Sequence, residues 1–420
     1  MNPASQRRRS WITVPDGSDF PLENLPLGIV GSGERHLAVA IGDCVVDLGV
    51  LARSGALDSV CSDAIELFSA ATCNAFLARG RATWTALRTT LTELFSTYAT
   101  RDERRGVEAA FVRDARMHLP IDVADYVDFY SSIEHATNLG RILRPGGEPL
   151  LPNYRHLPIG YHGRASSVVV SGTDVHRPSG QMKGPSAETP TFGPSRALDF
   201  ELEVGFITGP GNVHGTPIPA DRARDHIYGL VLLNDWSARD IQGWEYQPLG
   251  PFLSKSFATS ISPWIVSLDA LEPFRVPNRI QEPPPLPYLR VAENWAYDLD
   301  LHVAIQTARM REVRTAPMPI ARTTFAGMYW NMAQQLAHMT INGSLVRTGD
   351  LYGSGTVSGS EPGTFGSMIE LTERGARPLA LPNGETRDFL ADGDTVIMRA
   401  LAARGDLRIG FGEVRGTILP

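Results

Sequence analysis

The sequence predicts a mainly β protein in which a smaller N-terminal region precedes a larger region of short strands. Glycine and proline number 40 and 31 among 420 residues, about 17% against roughly 12% in average proteins, which favours turn-rich β structure over a helix bundle. Hydrophobic residues make up 42% and charged residues 20%, a balance that excludes wholesale disorder. After residue 120, Gly, Pro, Asn and Asp interrupt strand-like runs about every ten residues, as in an antiparallel sandwich or barrel.

The chain length is compatible with about two to three domains. Near residue 118 the sequence pattern changes, and short strand-like runs separated by turn residues follow. We therefore expect one domain over residues 1–118 and a second over residues 119–420. In the first, apolar runs between glycine-rich turns predict strands at Leu27–Val30, His36–Ile41 and Cys44–Leu48. Apolar residues at three- and four-residue steps then predict a helix with one buried face: Trp84, Leu87, Leu91, Leu94 and Phe95. The charged segment Arg101–Arg105 is expected to be frayed rather than regularly helical.

In the second region, short apolar runs predict further strands at Ser166–Val170, Phe200–Ile207 and Leu230–Leu233. One helix interrupts them. We expect Thr323 or Thr324 to cap this helix and Asn342–Gly343 to end it. An apolar stripe along the helix is expected to pack into the core: Phe325, Met328, Tyr329, Met332, Leu336 and Met339.

Charge and cysteine content exclude several classes of protein. The formal net charge of −7 provides no electrostatic footprint for nucleic acid or an anionic membrane, and no window of about 18 apolar residues predicts a membrane span. Three cysteines, without metal-ligand spacing and odd in number, indicate a reducing compartment. The basic run Arg7–Arg9 is not followed by the apolar segment of a secretory signal. We expect a soluble, cytoplasmic protein.

Acidic residues provide the clearest chemical signal. In a strand over Asp199–Val204, Glu201 and Glu203 project to one side while Phe200, Leu202 and Val204 project to the other. A hard divalent cation, Mg²⁺ or Ca²⁺, would relieve the repulsion between two such carboxylates, although a solvated strand face gives the same pattern. Asp235 ends an apolar strand and Asp128 lies among aromatic residues. These four carboxylates would form a hard-metal site if the fold brings them together.

Other polar residues suggest catalysis beside such a site. His135 is a candidate general base because the unperturbed pKa of histidine lies near neutrality, and Lys255 and Arg239 are candidates for stabilising a developing anion. Each could instead take part in an ordinary structural contact. The glycine-rich segment Leu351–Thr356 lacks the lysine of a phosphate loop and the spacing of a dinucleotide fingerprint, which argues against nucleotide binding.

Longer strings are more specific than these single residues. They are DFYSSIEHATNLGRILR (Asp128–Arg144), LPIGYHGRASSVVVSGT (Leu157–Thr173), LDFELEVGF (Leu198–Phe206), LNDWSARDIQGWEYQPLGPFLSKSFATSISPW (Leu233–Trp264) and GSGTVSG…FGSMIEL (Gly353–Leu371). Together with DFPLENLPLGIV at Asp19–Val30, they resemble the fumarylacetoacetase (fumarylacetoacetate hydrolase) family over nearly the whole chain. The resemblance implies an SH3-like N-terminal β domain, a C-terminal mixed β-sandwich roll and assembly as a homodimer.

The resemblance also implies a role for each site residue. Ca²⁺ or Mg²⁺ would be held by Asp128, Glu201, Glu203 and Asp235, and an additional Mg²⁺ would involve Lys255 and Thr259. His135 would be the general base and Glu370 the carboxylate that orients it, while Arg239, Gln242 and Lys255 would face the oxyanion. The residues expected to contact the substrate are Tyr130, Arg144, Tyr161, Gln242, Tyr246 and Thr356.

The family reaction is hydrolysis of a carbon–carbon bond in a small diketo acid, 4-fumarylacetoacetate, to fumarate and acetoacetate, the last step of tyrosine and phenylalanine catabolism. Ala258 and Ser254 depart from the family pattern, which has glycine at both positions, and this affects the expected geometry of the second metal. Two alternatives remain open at this stage. One is another superfamily enzyme, such as an acylpyruvate hydrolase, a hydratase or an oxaloacetate-type decarboxylase, and the other is a non-catalytic, metal-stabilised binding protein.

Overall fold

The computed structural model describes residues 9–184 and 186–420, so Arg7 and Arg8 of the N-terminal basic run lie outside the described residues. The elements of the first part of the chain are β1 (Leu27–Val30), β2 (His36–Ile41), β3 (Cys44–Asp47), α1 (Leu48–Arg53), α2 (Ala64–Phe68), α3 (Asn74–Leu77), α4 (Arg81–Phe95), α5 (Arg101–Ala109) and β4 (Met117–His118). The strands form a sheet in the order β3-β2-β1-β4, and the helices pack with it around a shared apolar core.

The structure confirms the predicted N-terminal strands and the amphipathic helix, whose apolar stripe is buried in α4. The third strand ends one residue earlier than predicted because the Asp47 side chain accepts a hydrogen bond from the backbone N–H of Val50 and caps α1. The prediction of a frayed segment at Arg101–Arg105 was wrong. Thr100 and Glu103 form a capping box that satisfies the first N–H groups of α5.

The second part of the chain is mainly β structure with short helices. Its elements are β5 (Tyr126–Phe129), α6 (Ile133–Leu143), β6 (Gly160–His162), β7 (Val168–Val170), β8 (Val175–His176), β9 (Ser179–Met182), β10 (Thr191–Pro194), β11 (Leu198–Asp199), β12 (Leu202–Thr208), α7 (Ala223–His226), β13 (Ile227–Asp235), β14 (Ser237–Ala238), α8 (Arg239–Glu245), β15 (Thr259–Ile261), β16 (Val266–Ser267), α9 (Leu268–Leu271), β17 (Arg275–Val276), β18 (Ala296–Tyr297), β19 (Asp300–Gln306), α10 (Ala308–Glu312), β20 (Met318–Thr324), α11 (Met332–Thr340), β21 (Leu351–Gly353), α12 (Met368–Leu371), β22 (Leu379–Ala380), β23 (Thr386–Arg387), β24 (Thr395–Arg404) and β25 (Leu407–Leu419).

Two larger sheets form the body of this part. One has the order β6-β5-β21-β12-β13-β15-β7, with β16 beside β13, and the other has the order β20-β19-β24-β25-β8. Most neighbouring strands are antiparallel, whereas β21 with β5, β15 with β7, and β25 with β8 are parallel. Val204 and Leu232 of the first sheet share one core with Val303 and Met398 of the second. This arrangement confirms the expected mainly β fold with mixed sheets packed around a common core.

Strand β13 explains how the first part of the chain attaches to this body. All nine of its residues are buried. Leu230 and Leu232 face the core between the two sheets, whereas Val231 and Leu233 belong to the core shared with the N-terminal helices. Because both faces of the strand are covered, its sequence is a continuous apolar run rather than an alternating one.

The helix predicted after Thr323 begins later than expected. Thr324 ends β20 and caps only a short 3-10 turn, Phe325–Gly327, and α11 then begins after Asn331, which forms a capping box with Gln334. Most of the predicted apolar stripe is nevertheless buried, since the turn and the helix both pack on the core. No helix in residues 9–184 or 186–420 is long and apolar enough to cross a bilayer.

Candidate active site

A cavity of about 370 Å³ opens beside the end of the larger sheet. Several elements contribute to its wall, including β5, α6, α8 and the segment that follows β21. Many of the residues singled out from the sequence line it: Asp128, Tyr130, His135, Arg144, Tyr161, Glu201, Arg239, Gln242, Tyr246, Lys255 and Thr356. The fold therefore brings together residues that are widely separated in the chain.

The four predicted carboxylates converge at this end of the sheet. Asp128 lies on β5, Glu203 on β12 and Asp235 at the end of β13, while Glu201 directly precedes β12 and forms an isolated bridge with Ser367. Each offers one oxygen atom such that the four atoms lie within 4.8 Å of one another, and all four residues are buried. The alternation argument for Glu201 and Glu203 thus agrees with the structure.

The residues present fit a divalent cation with oxygen ligands. Within the described residues, Asp128 Oδ1 and Glu203 Oε1 are buried without a hydrogen-bond partner, which is costly unless a cation compensates them. Burial and the charges of neighbouring carboxylates raise the pKa values of Asp128 and Glu203 well above their usual range. Gly353 leaves room for these two groups, because a Cβ there would lie 2.8 Å from Asp128 Oδ1 and from Glu203 Oε2.

Two cations flank the cluster. Lys255 Nζ donates to Glu201 Oε2 at 2.6 Å and to Asp235 Oδ2 at 2.8 Å. Arg239 Nη2 lies 2.7 Å from Glu201 Oε1. Burial alone would raise the pKa of Glu201, but Lys255 and Arg239 hold it well below its usual value. Burial likewise opposes the charge on Lys255, yet Asp235 and Glu201 raise the pKa of this lysine, which therefore stays protonated near neutral pH.

The region expected to hold a second metal surrounds Asp235. Thr259 Oγ1 donates to Asp235 Oδ1 at 3.0 Å, and the Tyr161 hydroxyl donates to Asp235 Oδ2 at 2.9 Å. Ala258 and Ser254, the two expected departures from the family pattern, are buried and have negative φ angles. The local backbone therefore needs no glycine at either position, and the added Cβ atoms introduce no strain through φ.

His135 and Glu370 form a buried pair. Ser132 caps α6, which places His135 in the first turn of that helix, and Nδ1 of the imidazole lies 2.7 Å from Glu370 Oε2. Glu370 also accepts hydrogen bonds from three further side chains: Asn138, Ser358 and Ser367. Although burial would raise the pKa of Glu370, His135, Ser367 and Asn138 lower it. An ionised Glu370 requires a proton on Nδ1, so Nε2 keeps its lone pair in the neutral imidazole.

The remaining predicted residues surround the cavity with polar groups. Gln242 Oε1 accepts a hydrogen bond from Arg239 Nη1 at 3.0 Å. Arg144 donates to a backbone carbonyl through Nη2, while its Nε, like the hydroxyl of Thr356, is buried without a partner among the described residues. The ring of Tyr130 packs edge-on against His135, with 5.3 Å between the centroids. These groups leave several unused donors for an anionic, oxygen-rich ligand.

Sequence reasoning missed the residues that hold Glu370. Asn138 lies one helical turn after His135, so helical spacing could have placed it on the same side of α6. Ser367 lies three residues before Glu370, while Ser358 reaches it from the preceding loop. Hydroxyl groups are too common in loops for their sequence positions to have indicated this contact. Asp199, which contacts Arg239, was also missed.

The protein combines two packed β-sheets with a buried cluster of four carboxylates beside a histidine–glutamate pair. This combination defines the class: a β-roll protein whose clustered carboxylates are the donor set of a divalent-cation site. Two family models match the chain. They are Fumarylacetoacetase N-terminal over residues 23–120 and Fumarylacetoacetate (FAA) hydrolase C-terminal over residues 126–419. The chain belongs to the fumarylacetoacetase family.

Curated relatives support this assignment, and a solved structure shares the fold. The fumarylacetoacetases of Homo sapiens and Rattus norvegicus are 48% and 47% identical to the chain over 418 residues, which cover 98% of this chain and 99% of each relative. The structure of a fumarylacetoacetate hydrolase from psychrophilic Exiguobacterium antarcticum superposes with a TM-score of 0.52 at 14% identity, covering 94% of this chain and 99% of that one. At that identity, the similarity concerns the fold alone.

Proposed function

We propose that this protein hydrolyses the carbon–carbon bond of 4-fumarylacetoacetate to give fumarate and acetoacetate. The observation that supports this most strongly is similarity to curated fumarylacetoacetases over nearly the full length of both chains. The cavity offers the groups that such a reaction requires: a candidate base, cationic donors and an acidic cluster. The same similarity over the N-terminal region favours this function over that of other superfamily enzymes.

The proposed reaction begins at the imidazole of His135. Because Glu370 accepts a hydrogen bond from Nδ1–H, Nε2 is free to take a proton from water while the water oxygen bonds to a carbonyl carbon of the substrate. Collapse of the resulting tetrahedral adduct breaks the carbon–carbon bond, and the electron pair leaves with the acetoacetate fragment. Lys255, which remains protonated, is the proposed donor of the proton that this carbon receives.

The oxyanion of the adduct would face Arg239, Gln242 and Lys255, and preorganised donors of this kind typically contribute about 3 kcal/mol each. A divalent cation, Ca²⁺ or Mg²⁺, held by the four clustered carboxylates would supply Lewis-acid polarisation of the diketone oxygens. The proposed substrate contacts are Tyr130, Arg144, Tyr161, Gln242, Tyr246 and Thr356. Lys255 and Thr259 would help bind an additional Mg²⁺. The ammonium group of Lys255 would not be a ligand, because it is positively charged and already contacts two carboxylates, so other atoms of these residues would take part.

The function is tested by following the ultraviolet absorbance of the conjugated diketone. We expect the purified protein with Ca²⁺ or Mg²⁺ to deplete 4-fumarylacetoacetate and to release fumarate and acetoacetate in equal amounts. Turnover of an acylpyruvate in its place would indicate another superfamily enzyme. Absence of turnover with either substrate and either metal would indicate a non-catalytic binding protein.

The base is tested with His135→Ala, which should abolish turnover and leave the metal content unchanged. His156→Ala is the matched control, because His156 is exposed on a loop and does not line the cavity. Retained turnover in the His135 variant would remove that residue from the base role.

The assembly and location that we propose are those of the family: a cytoplasmic homodimer. Exposed apolar side chains support self-association, since Phe192, Leu249 and Phe252 are 78%, 95% and 71% exposed. The three cysteines are all free, as expected in a reducing compartment. Light scattering after size-exclusion chromatography would measure the mass, and a monomer at micromolar concentration would contradict the dimer.

A further inference from the structure

Asp199 is not one of the proposed catalytic or metal-binding residues, yet each of its two carboxylate oxygens accepts two hydrogen bonds. It is fully buried at the end of β11. Oδ2 accepts from Arg239 Nε at 2.8 Å and from the backbone N–H of Ile369 at 3.0 Å. Oδ1 accepts from the backbone N–H groups of Met368 at 2.6 Å and Phe200 at 2.7 Å.

These contacts connect two sides of the active site. Arg239 lines the cavity, lies 2.7 Å from Glu201 and donates to Gln242. Met368 and Ile369 are the first two residues of α12, the short helix that contains Glu370. One carboxylate therefore holds both the guanidinium beside the acidic cluster and the helix that presents Glu370 to the imidazole of His135.

We propose that Asp199 is a positioning residue that fixes the Glu370-bearing turn of α12 relative to Arg239 and so sets the geometry of the His135–Glu370 pair. Asp199 fits this role because an ionised carboxylate only accepts hydrogen bonds, and all four groups around it are donors. Asparagine has nearly the same shape, but its amide nitrogen must face at least one of these donors. We expect the asparagine oxygen to stay with the charged Arg239, which leaves the N–H of Met368 opposite an N–H group and displaces α12.

The role of Asp199 in turnover rests on the proposed function, whereas its role in the histidine–glutamate contact does not. The experiment therefore measures both. Uniform ¹⁵N-histidine labelling, with the signal assigned by its loss in His135→Ala, detects the low-field proton on Nδ1 of His135, which depends on the contact with Glu370 and needs no substrate. In Asp199→Asn we expect this signal to shift strongly or to broaden beyond detection, and kcat to fall at least tenfold with KM changed by less than about threefold.

A double-mutant cycle separates positioning from general destabilisation. In a Glu370→Gln background the carboxylate that Asp199 is proposed to position is already absent, so adding Asp199→Asn should lower kcat by less than about threefold. Asp240→Asn is the matched control: it changes a carboxylate on the same helix as Arg239 that accepts hydrogen bonds from Ser195, Arg196 and Ile241 instead. This control should leave both the proton signal and kcat unchanged.

A second comparison applies if Asp199→Asn does not fold. Arg239→Gln alone should preserve the Nδ1 proton signal, whereas the double variant Arg239→Gln, Asp199→Asn, which removes both buried charges together, should lose it. An unchanged proton signal in a folded Asp199 variant, or an equal loss of kcat in both backgrounds of the cycle, would overturn the proposal. If the proton signal shifts in Asp199→Asn but the unmodified protein has no hydrolase activity, the positioning role is supported and the proposed function is contradicted.

Discussion

Replacing Glu370 by glutamine tests how much the buried carboxylate contributes to catalysis. Glu370 is fully buried, does not line the cavity and receives hydrogen bonds from four side chains, one of them the imidazole of His135 at 2.7 Å. When the imidazole takes a proton from water, the negative carboxylate stabilises the imidazolium that forms. For charge centres about 4 Å apart at an effective dielectric constant of about 20, this stabilisation is about 4 kcal/mol.

Each 1.36 kcal/mol of barrier corresponds to a factor of ten in rate, so Glu370→Gln should lower kcat by roughly 10³-fold. KM should change by less than about threefold, because Glu370 is not expected to touch the substrate. The glutamine amide would also face the Asn138 side-chain amide, a mismatch that costs about 1–3 kcal/mol of unfolding free energy unless Asn138 turns over. Steady-state kinetics by diketone absorbance and urea denaturation measure the two effects.

The matched control is Glu373→Gln, which makes the same chemical change three residues later. Glu373 forms an exposed ion pair with Arg377, and such pairs contribute little. We expect its kcat to equal that of the unmodified protein. A folded Glu370→Gln variant with kcat within tenfold of the unmodified protein would refute the proposed role of the carboxylate.

Three further outcomes follow from the geometry. Gly353→Ala should weaken Mg²⁺ or Ca²⁺ binding measured by calorimetry at least tenfold, because the new Cβ would press on Asp128 and Glu203; unchanged affinity would contradict the assigned cluster. Burial raises the pKa of Asp350 to about 6, so the native state keeps a proton that the unfolded chain releases near pH 4. Stability should therefore fall by roughly 3 kcal/mol as pH rises from about 4 to about 6, and Asp350→Asn should remove this decline in urea titrations; an identical pH profile in the variant would contradict it. Cys73 is buried, whereas Cys44 and Cys61 are only half-buried, so a thiol reagent should modify those two cysteines in the native protein and Cys73 only after unfolding; rapid modification of all three would disagree with the packing.

Local patterns predicted much of the fold correctly. The strands at Leu27–Val30 and His36–Ile41 follow from apolar runs between glycine-rich turns, and the buried stripe of α4 follows from helical periodicity. The start of α11 did not follow, since Thr324 has the chemistry of a helix cap but is held in β20 by pairing with Asp300 of β19. Long-range pairing thus overrode a local signal that the sequence presents clearly.

The candidate site divides in a similar way. Alternation along the strand placed Glu201 and Glu203 on one side, and the same reasoning places Asp199 there too. It did not distinguish the roles of these residues. Asp199 turns towards Arg239 and the start of α12, whereas Glu203 faces Asp128 across Gly353. The difference arises from the neighbouring strands, which are far away in the sequence.

The sequence by itself determined the kind of chemistry available, since the types of side chain and their spacing along each strand are local properties. It also indicated the family, because long strings resemble that family over nearly the whole chain. Only the tertiary structure decided which groups meet: the order β5-β21-β12-β13 sets Asp128, Glu203 and Asp235 side by side. The physical reason is that the order of the strands depends on apolar burial, and β13 is buried on both faces at once by residues from distant parts of the chain. The free energy of this burial is a sum over many segments, so no single segment of the sequence contains it.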